Sequence, residues 1–323
     1  MSHADIEALQ RLLGPTARLC RRALTNEDGV ALAPFTDHHI HVHLIDEHGL
    51  PAGGVAAALD LGGDPAVLAR RPQGVMPHLA YAGAFLTVPG GYPSRRPWAP
   101  PEVVRVVASA SPAPGTPGGA RTAVDEMADA GASVIKVALN SDAGPVFDAA
   151  TLVVLVDAAH DRGLPVVAHV EGQGMTRRAL DAGIDALAHA PFTGALPPEL
   201  VSRAVDAGQR WVSTLAIHDE PAVAIGNLAA FHAAGGTVLY GTDLGNGDRA
   251  NGLDVAELQR LHDAGVQGPA LLAALTQPWP RRAVGDAVRT FVPGVAPRTP
   301  DEIPGWLARA RVVPSEELMT REQ

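Results

Sequence analysis

The chain of 323 residues has one cysteine, Cys20, which rules out an internal disulfide and leaves histidine, carboxylate or lysine chemistry to hold any metal ion. Such sparing thiol usage suits a reducing cytoplasm. Basic runs are missing too: 25 Lys and Arg stand against 35 Asp and Glu, for a formal charge of -10, and the cations nowhere cluster as a phosphate backbone would require. Nucleic acid is therefore not an expected partner. No apolar run approaches the roughly 20 residues that span a bilayer, and the opening MSHADIEALQ has no basic segment followed by an apolar one, so neither membrane insertion nor export is expected. Aromatic residues are only 4% of the chain, which leaves the core to Ala, Val and Leu. The glycine-rich stretches "PGGYP" and "GTPGG" lack the strand-to-helix setting and the Lys-Ser/Thr ending of a phosphate loop, so nucleotide binding is not indicated.

What the chain does have is alternation. Short apolar runs at 36–44, 54–61, 78–87, 133–139, 164–170, 185–190, 210–216 and 236–242 read as strands. Amphipathic stretches at 120–131, 148–163, 175–183, 196–208 and 254–265 read as helices, several closing on the glycine that a left-handed C-terminal turn favours. Eight strands with crossovers of this length predict an α/β fold, a parallel (β/α)8 TIM barrel, with a doubly wound open sheet as the rival. Ile6, Leu9, Leu12 and Leu13 predict an N-terminal helical extension, and "DEIPGWLARARVV" a C-terminal helix packed on the barrel. The reading is one domain over 1–323, with a barrel core at about 33–283.

The stretch "APFTDHHIHVHLID" places His38, His39, His41 and His43 beside an apolar lead-in. It is either a surface tract or the first half of a metal site. Residues two apart on a strand share a face, so His39 and His41, with Asp37 before them, can converge on one ion; His41 with His43 is the alternative register. Later strands each carry one metal-competent residue near the C-terminal end: Lys136, His169, His189 and Asp243. A lone strand histidine is usually a satisfied core group, but four metal-competent residues at the same end of their strands suggest a shared centre. An unpaired Lys136 inside an apolar strand would also be costly, because burial disfavours its charge.

With those residues in view, the chain resembles the amidohydrolase superfamily of metal-dependent hydrolases, from about Ala33 to 283. The resemblance rests on Asp37-x-His39-x-His41, Lys136, His169, His189 and Asp243. It implies a binuclear site, usually zinc, in which His39, His41 and Asp243 hold one ion, His169 and His189 the other, and a carbamate on Lys136 bridges them with a hydroxide. It also implies Asp243 as general base and acid. The small β-sandwich of many such proteins is expected to be absent or vestigial, since the first 32 residues look too helical and too short for it.

The expected activity is cleavage of a small amide, peptide-like or cyclic amide bond, or an ester or lactone, in a small-molecule substrate. A mononuclear deaminase of a heterocyclic amine and a non-catalytic ligand-binding barrel are the alternatives, and a homo-oligomer is compatible with either. Tyr92, Arg95 and Arg96, in a Pro-rich loop after the third strand, are candidates for a substrate carboxylate. Glu171 and His218 are candidates to face the same cavity.

Overall fold

The computed structural model describes residues 3–320 apart from 73 and 282–284, so the expected barrel boundary at 283 lies outside the described residues. After a helix at His3–Leu13, β1 (Arg18–Arg22) and β2 (Glu27–Leu32) form an antiparallel hairpin. β3 (Phe35–Ile40), β4 (Val55–Asp60) and β5 (His78–Tyr81) then pair in parallel. A second sheet contains β6 (Phe85–Thr87), β7 (Val104–Val106), β8 (Ile135–Asn140), β9 (Val166–Glu171), β10 (Ala186–Leu187), β11 (Arg210–Val212) and β12 (Thr237–Leu239), in the order β12-β11-β10-β9-β8-β6-β7.

The two parallel sheets touch at both sides. His38 N donates to Tyr240 O at 2.9 Å and His41 N to Leu244 O at 2.9 Å, which joins β3 to the chain leaving β12. Ala82 N donates to Asp60 O at 2.9 Å and Ser133 N to Tyr81 O at 2.8 Å, which ties the β5–β6 segment to β4 and to the entry of β8.

Successive strand side chains alternate faces, and both faces here are dry. One face of the strands packs with the helices in the main core: Val137 and Ala168 lie there beside Val124 and Leu155 of Ala120–Asp129 and Ala149–Asp161. The other face carries a smaller cluster that includes Leu59, Val134, Val167, Val212 and Leu239. Lys136 follows Val134 by two residues and His169 follows Val167 by two, so both stand one step further along that second face. The apolar cluster is the floor and the polar residues are the next layer.

The ends of the chain correct the sequence reading. The expected N-terminal helix is present at His3–Leu13, but in place of an absent or vestigial β-sandwich and a C-terminal helix, β1 and β2 join β13 (Val288–Pro293), β14 (Arg311–Pro314) and β15 (Leu318–Thr320) in a five-stranded antiparallel sheet ordered β14-β13-β2-β1-β15. Its own apolar cluster is Cys20, Ala31, Phe291 and Val313. Residues from opposite ends supply it, so neither end holds enough apolar surface to announce a sheet. The expected tail helix is confined to Ile303–Leu307. Beyond it Ala310 packs so tightly on Gly54 that a Cβ there would come within 2.7 Å of the Ala310 Cβ, and the β-branched Val312 and Val313 continue as strand. The expected single strand at 78–87 is also broken, at Gly83, whose φ of +75° lies in the left-handed region that favours glycine. No helix among the described residues is long and apolar enough to cross a membrane.

Candidate metal centre

β3 delivers His39 and, one residue past its end, His41. Both are buried, and Nε2 of each lies 3.1 Å from Oδ1 of Asp243, which follows β12. Donors of one tetrahedral ion at about 2.0–2.1 Å stand roughly 3.3 Å apart, so the spacing fits a shared divalent cation. The other ring nitrogens are committed elsewhere. His39 Nδ1 donates to Ala188 O at 2.8 Å and His41 Nδ1 to Gly62 O at 3.3 Å; a carbonyl only accepts, so each ring carries a proton on Nδ1, and Nε2 is the nitrogen turned toward Asp243 and able to bind a cation.

Burial alone would raise the Asp243 pKa, but attraction to His39, His41 and His189 whenever those rings carry a second proton holds it well below the usual carboxylate range. Burial pushes His39 and His189 well below the ordinary imidazole value, and His169 is lowered by the same cause, so these rings are neutral, the form that binds a cation.

Asp37 takes a different part. It is fully buried, it does not line the cavity, and it accepts from His39 N at 3.0 Å, Thr242 N at 3.1 Å and Thr242 Oγ1 at 2.6 Å. It therefore staples the end of β3 to the residue preceding Asp243. His38 also points away from the cavity, with its ring nitrogens at Tyr240 O and Gln277 O. His43 reaches Trp98 O at 3.2 Å.

Across from the triad, the His169 ring lies 4.9 Å from that of His189, which lies 4.8 Å from His39. Thr214 Oγ1 engages His189 Nδ1 at 2.8 Å, leaving Nε2 free. His169 is pinned the other way round: Nε2 lies 3.1 Å from Glu171 Oε2, which also accepts from Asn140 Nδ2 at 2.6 Å, so Nδ1 is the free donor. Lys136, 1% exposed, has its Nζ 5.7 Å from the centre of the Phe85 ring. Burial lowers its pKa to about 7, against the opposing pull of Asp243 and Asp60. An amine that is neutral near pH 7 can act as a nucleophile, which an ordinary lysine rarely does.

All six predicted ligands line one cavity of about 400 Å³. Of the substrate candidates, Tyr92, Glu171 and His218 line it as well, whereas Arg95 is exposed outside it and Arg96, also exposed, lies over the Tyr92 ring, 5.7 Å from its centre. Sequence reasoning missed Trp98 and Phe192 in the wall, Asn246, which donates to Asp243 Oδ2 at 2.9 Å, and the Thr214 hydroxyl behind His189. These residues lie on loops or past strand ends, where no periodicity marks them. A polar residue three positions after Asp243 was the only available signal for Asn246.

Set against known structures, the chain has the fold of amidohydrolases. It is similar to a Xaa-Pro dipeptidase with bound methionine in the active site, at 16% identity and a TM-score of 0.67, covering 90% of this chain and 86% of that one. It is also similar to a putative prolidase from Bifidobacterium longum, at 20% identity, TM-score 0.62, covering 90% and 81% of the two chains, and to A. niger ochratoxinase, at 21%, TM-score 0.59, covering 76% and 70%. No family model matches the sequence, and no curated protein matches it.

Proposed function

We propose that the chain is a metal-dependent hydrolase of the amidohydrolase superfamily, built on a closed (β/α)8 barrel, that cleaves a small amide, peptide-like or cyclic amide bond. Esters and lactones would be open to the same machinery. The observation that carries this reading is the meeting of His39 Nε2 and His41 Nε2 at one oxygen of Asp243, in a cavity that Lys136, His169 and His189 also line. The amidohydrolase fold of the solved neighbours supports it.

His39, His41 and Asp243 would hold one ion, and His169 and His189 a second, with Lys136 carboxylated between them; imidazole with carboxylate suits zinc. Such ions supply Lewis acidity toward a carbonyl oxygen and lower the pKa of water toward neutrality. The chain supplies the rest. Asp243 Oδ2, held by Asn246 Nδ2 at 2.9 Å, takes a proton from the attacking water and returns it to the leaving nitrogen. His218 lines the cavity with a buried Nε2 that has no protein partner, and this nitrogen is available to the substrate carbonyl or leaving group. Lys136 Nζ, a substantial fraction of which is unprotonated near pH 7, adds carbon dioxide with loss of a proton.

Elemental analysis of the zinc-reconstituted chain is expected to give about two ions per chain. A panel of N-acyl amino acids, dipeptides, cyclic amides and lactones is expected to yield turnover that a chelator abolishes. Activity indifferent to the chelator, or none across the panel, defeats the proposal. A mononuclear deaminase keeps one observation in its favour: His39, His41 and Asp243 alone bring three donors within 4.8 Å of one another inside the cavity. One ion per chain with ammonia released from a heterocyclic amine would decide for it.

A further inference from the structure

Aromatic residues are scarce in this chain, with six Phe, four Trp and three Tyr, yet Phe85, Tyr92, Trp98 and Phe192 all line the one cavity that holds the histidine cluster. Two groups flank that cluster. Tyr92 stacks on His169 with ring centres 4.9 Å apart and meets Trp98 edge-on at 6.0 Å, while Phe85 stacks on His41 at 5.6 Å. Phe192 lies 6.1 Å from His189 and 4.4 Å from His218.

Charge is distributed unevenly. Among the described residues lining the cavity none is an arginine, and the one lysine is Lys136 at the centre of the donor cluster; the carboxylates are Asp243, in the triad, and Glu171, further out. A substrate carboxylate carried away from the reacting bond would leave water for aromatic walls and the like charge of Glu171, and the nearest arginine, Arg96, lies over the Tyr92 ring outside the lining with its charge already drawn toward Glu171.

We propose that the cavity accepts a neutral amide bearing an aromatic or similarly bulky apolar group, and that it discriminates against the same group carrying a free carboxylate. The inference rests on the hydrolase reading for the location of the reacting bond, but the selectivity of the walls can be measured without turnover.

Phenylacetanilide and its ring 4-carboxylate form a matched pair of probes. Binding of each to the metal-free full chain is followed by calorimetry, and hydrolysis is followed on the zinc-loaded chain. The neutral compound is expected to bind at least tenfold tighter. Phe192→Ala is expected to weaken it about tenfold, and Glu171→Gln to narrow the gap between the two compounds. Equal binding, tighter binding of the carboxylate, or no binding of either overturns the proposal. A carboxylate preference that Arg96→Ala removes would place a working cation at the mouth and overturn it as well. Selective binding of the neutral probe without hydrolysis by the zinc-loaded chain upholds the wall chemistry and counts against the hydrolase reading instead.

Discussion

The two halves of the cluster are built differently. His39 and His41 come from one strand end, two residues apart, and meet a single carboxylate oxygen at 3.1 Å each. Lys136, His169 and His189 come from three strands or strand ends, and Glu171, Thr214 and Asn140 behind them fix ring orientation without bringing their donors to one point. The first half is preorganised by chain geometry and backbone carbonyls. The second is held by side chains and lacks a shared anion unless Lys136 becomes one. An ion should therefore enter the triad half more tightly, and the other half should depend on chemistry at Lys136.

The largest expected effect comes from removing Asp243, the carboxylate to which the proposed mechanism gives both ion binding and proton transfer. Asp243→Asn is expected to lower kcat/KM by about 10³-fold, within the span of general acid-base contributions, while His39 and His41 retain part of the affinity for the first ion. Loss of activity without any fall in metal content would assign Asp243 to proton transfer alone. Next, Lys136→Ala is expected to remove one metal equivalent and most turnover, and short-chain carboxylic acids, which can imitate the carbamate, should restore part of both. A variant with wild-type metal content and activity would erase the distinction between the halves.

A smaller effect sharpens the same contrast. Glu171 holds His169 by Nε2, which leaves Nδ1 as the nitrogen for an ion, and losing such a partner typically weakens metal binding about 10–100-fold. Glu171→Ala should weaken the second ion by that factor and leave the first unchanged in competition with a chelating dye. Glu171→Gln, which can still accept from Nε2, should recover part of the loss. A raised KM with both affinities intact would make Glu171 a substrate contact only.

How much of this was legible in the sequence follows from where each residue sits. Lys136, His169 and Asp243 stand out because each interrupts or closes an apolar run, and strand periodicity tells which face it takes. The parallel strands were legible for the same reason, since strands dry on both faces read as continuous apolar runs. Asp37 shares the parity of His39 but spends both carboxylate oxygens on His39 N and Thr242, a pairing across some 200 positions that no local pattern carries. The terminal sheet was hidden for a related reason: β2 pairs with β13 across more than 250 positions, and β1, "RLCRR", offers little apolar signal of its own. Arg95 has the charge and loop position of a carboxylate contact, but its side chain is exposed outside the cavity.

The cavity wall near His218 supplies the mildest test, because it is held from behind by the helix Val255–Asp263 and not by a strand. Glu257 Oε2 accepts from Ala216 N at 2.6 Å and Arg260 Nη1 donates to His218 O at 3.2 Å. Burial raises the Glu257 pKa from 4.5 to about 7, with hydrogen bonds from the Ser213 side chain and the Leu215 and Ala216 backbone opposing it. Below pH 4.5 both folded and unfolded chains keep the proton, and Glu257 contributes no pH dependence. Between about 4.5 and 7 the unfolded chain releases a proton that the folded chain retains, so stability falls as pH rises, by up to roughly 3 kcal/mol, and above 7 the difference stays constant. Glu257→Gln removes the titrating group, so its denaturant midpoint should change less than the wild type's between pH 5 and pH 8. Identical pH slopes would mean that Glu257 is ionised throughout, and that the loop carrying His218 is held by a charged acceptor.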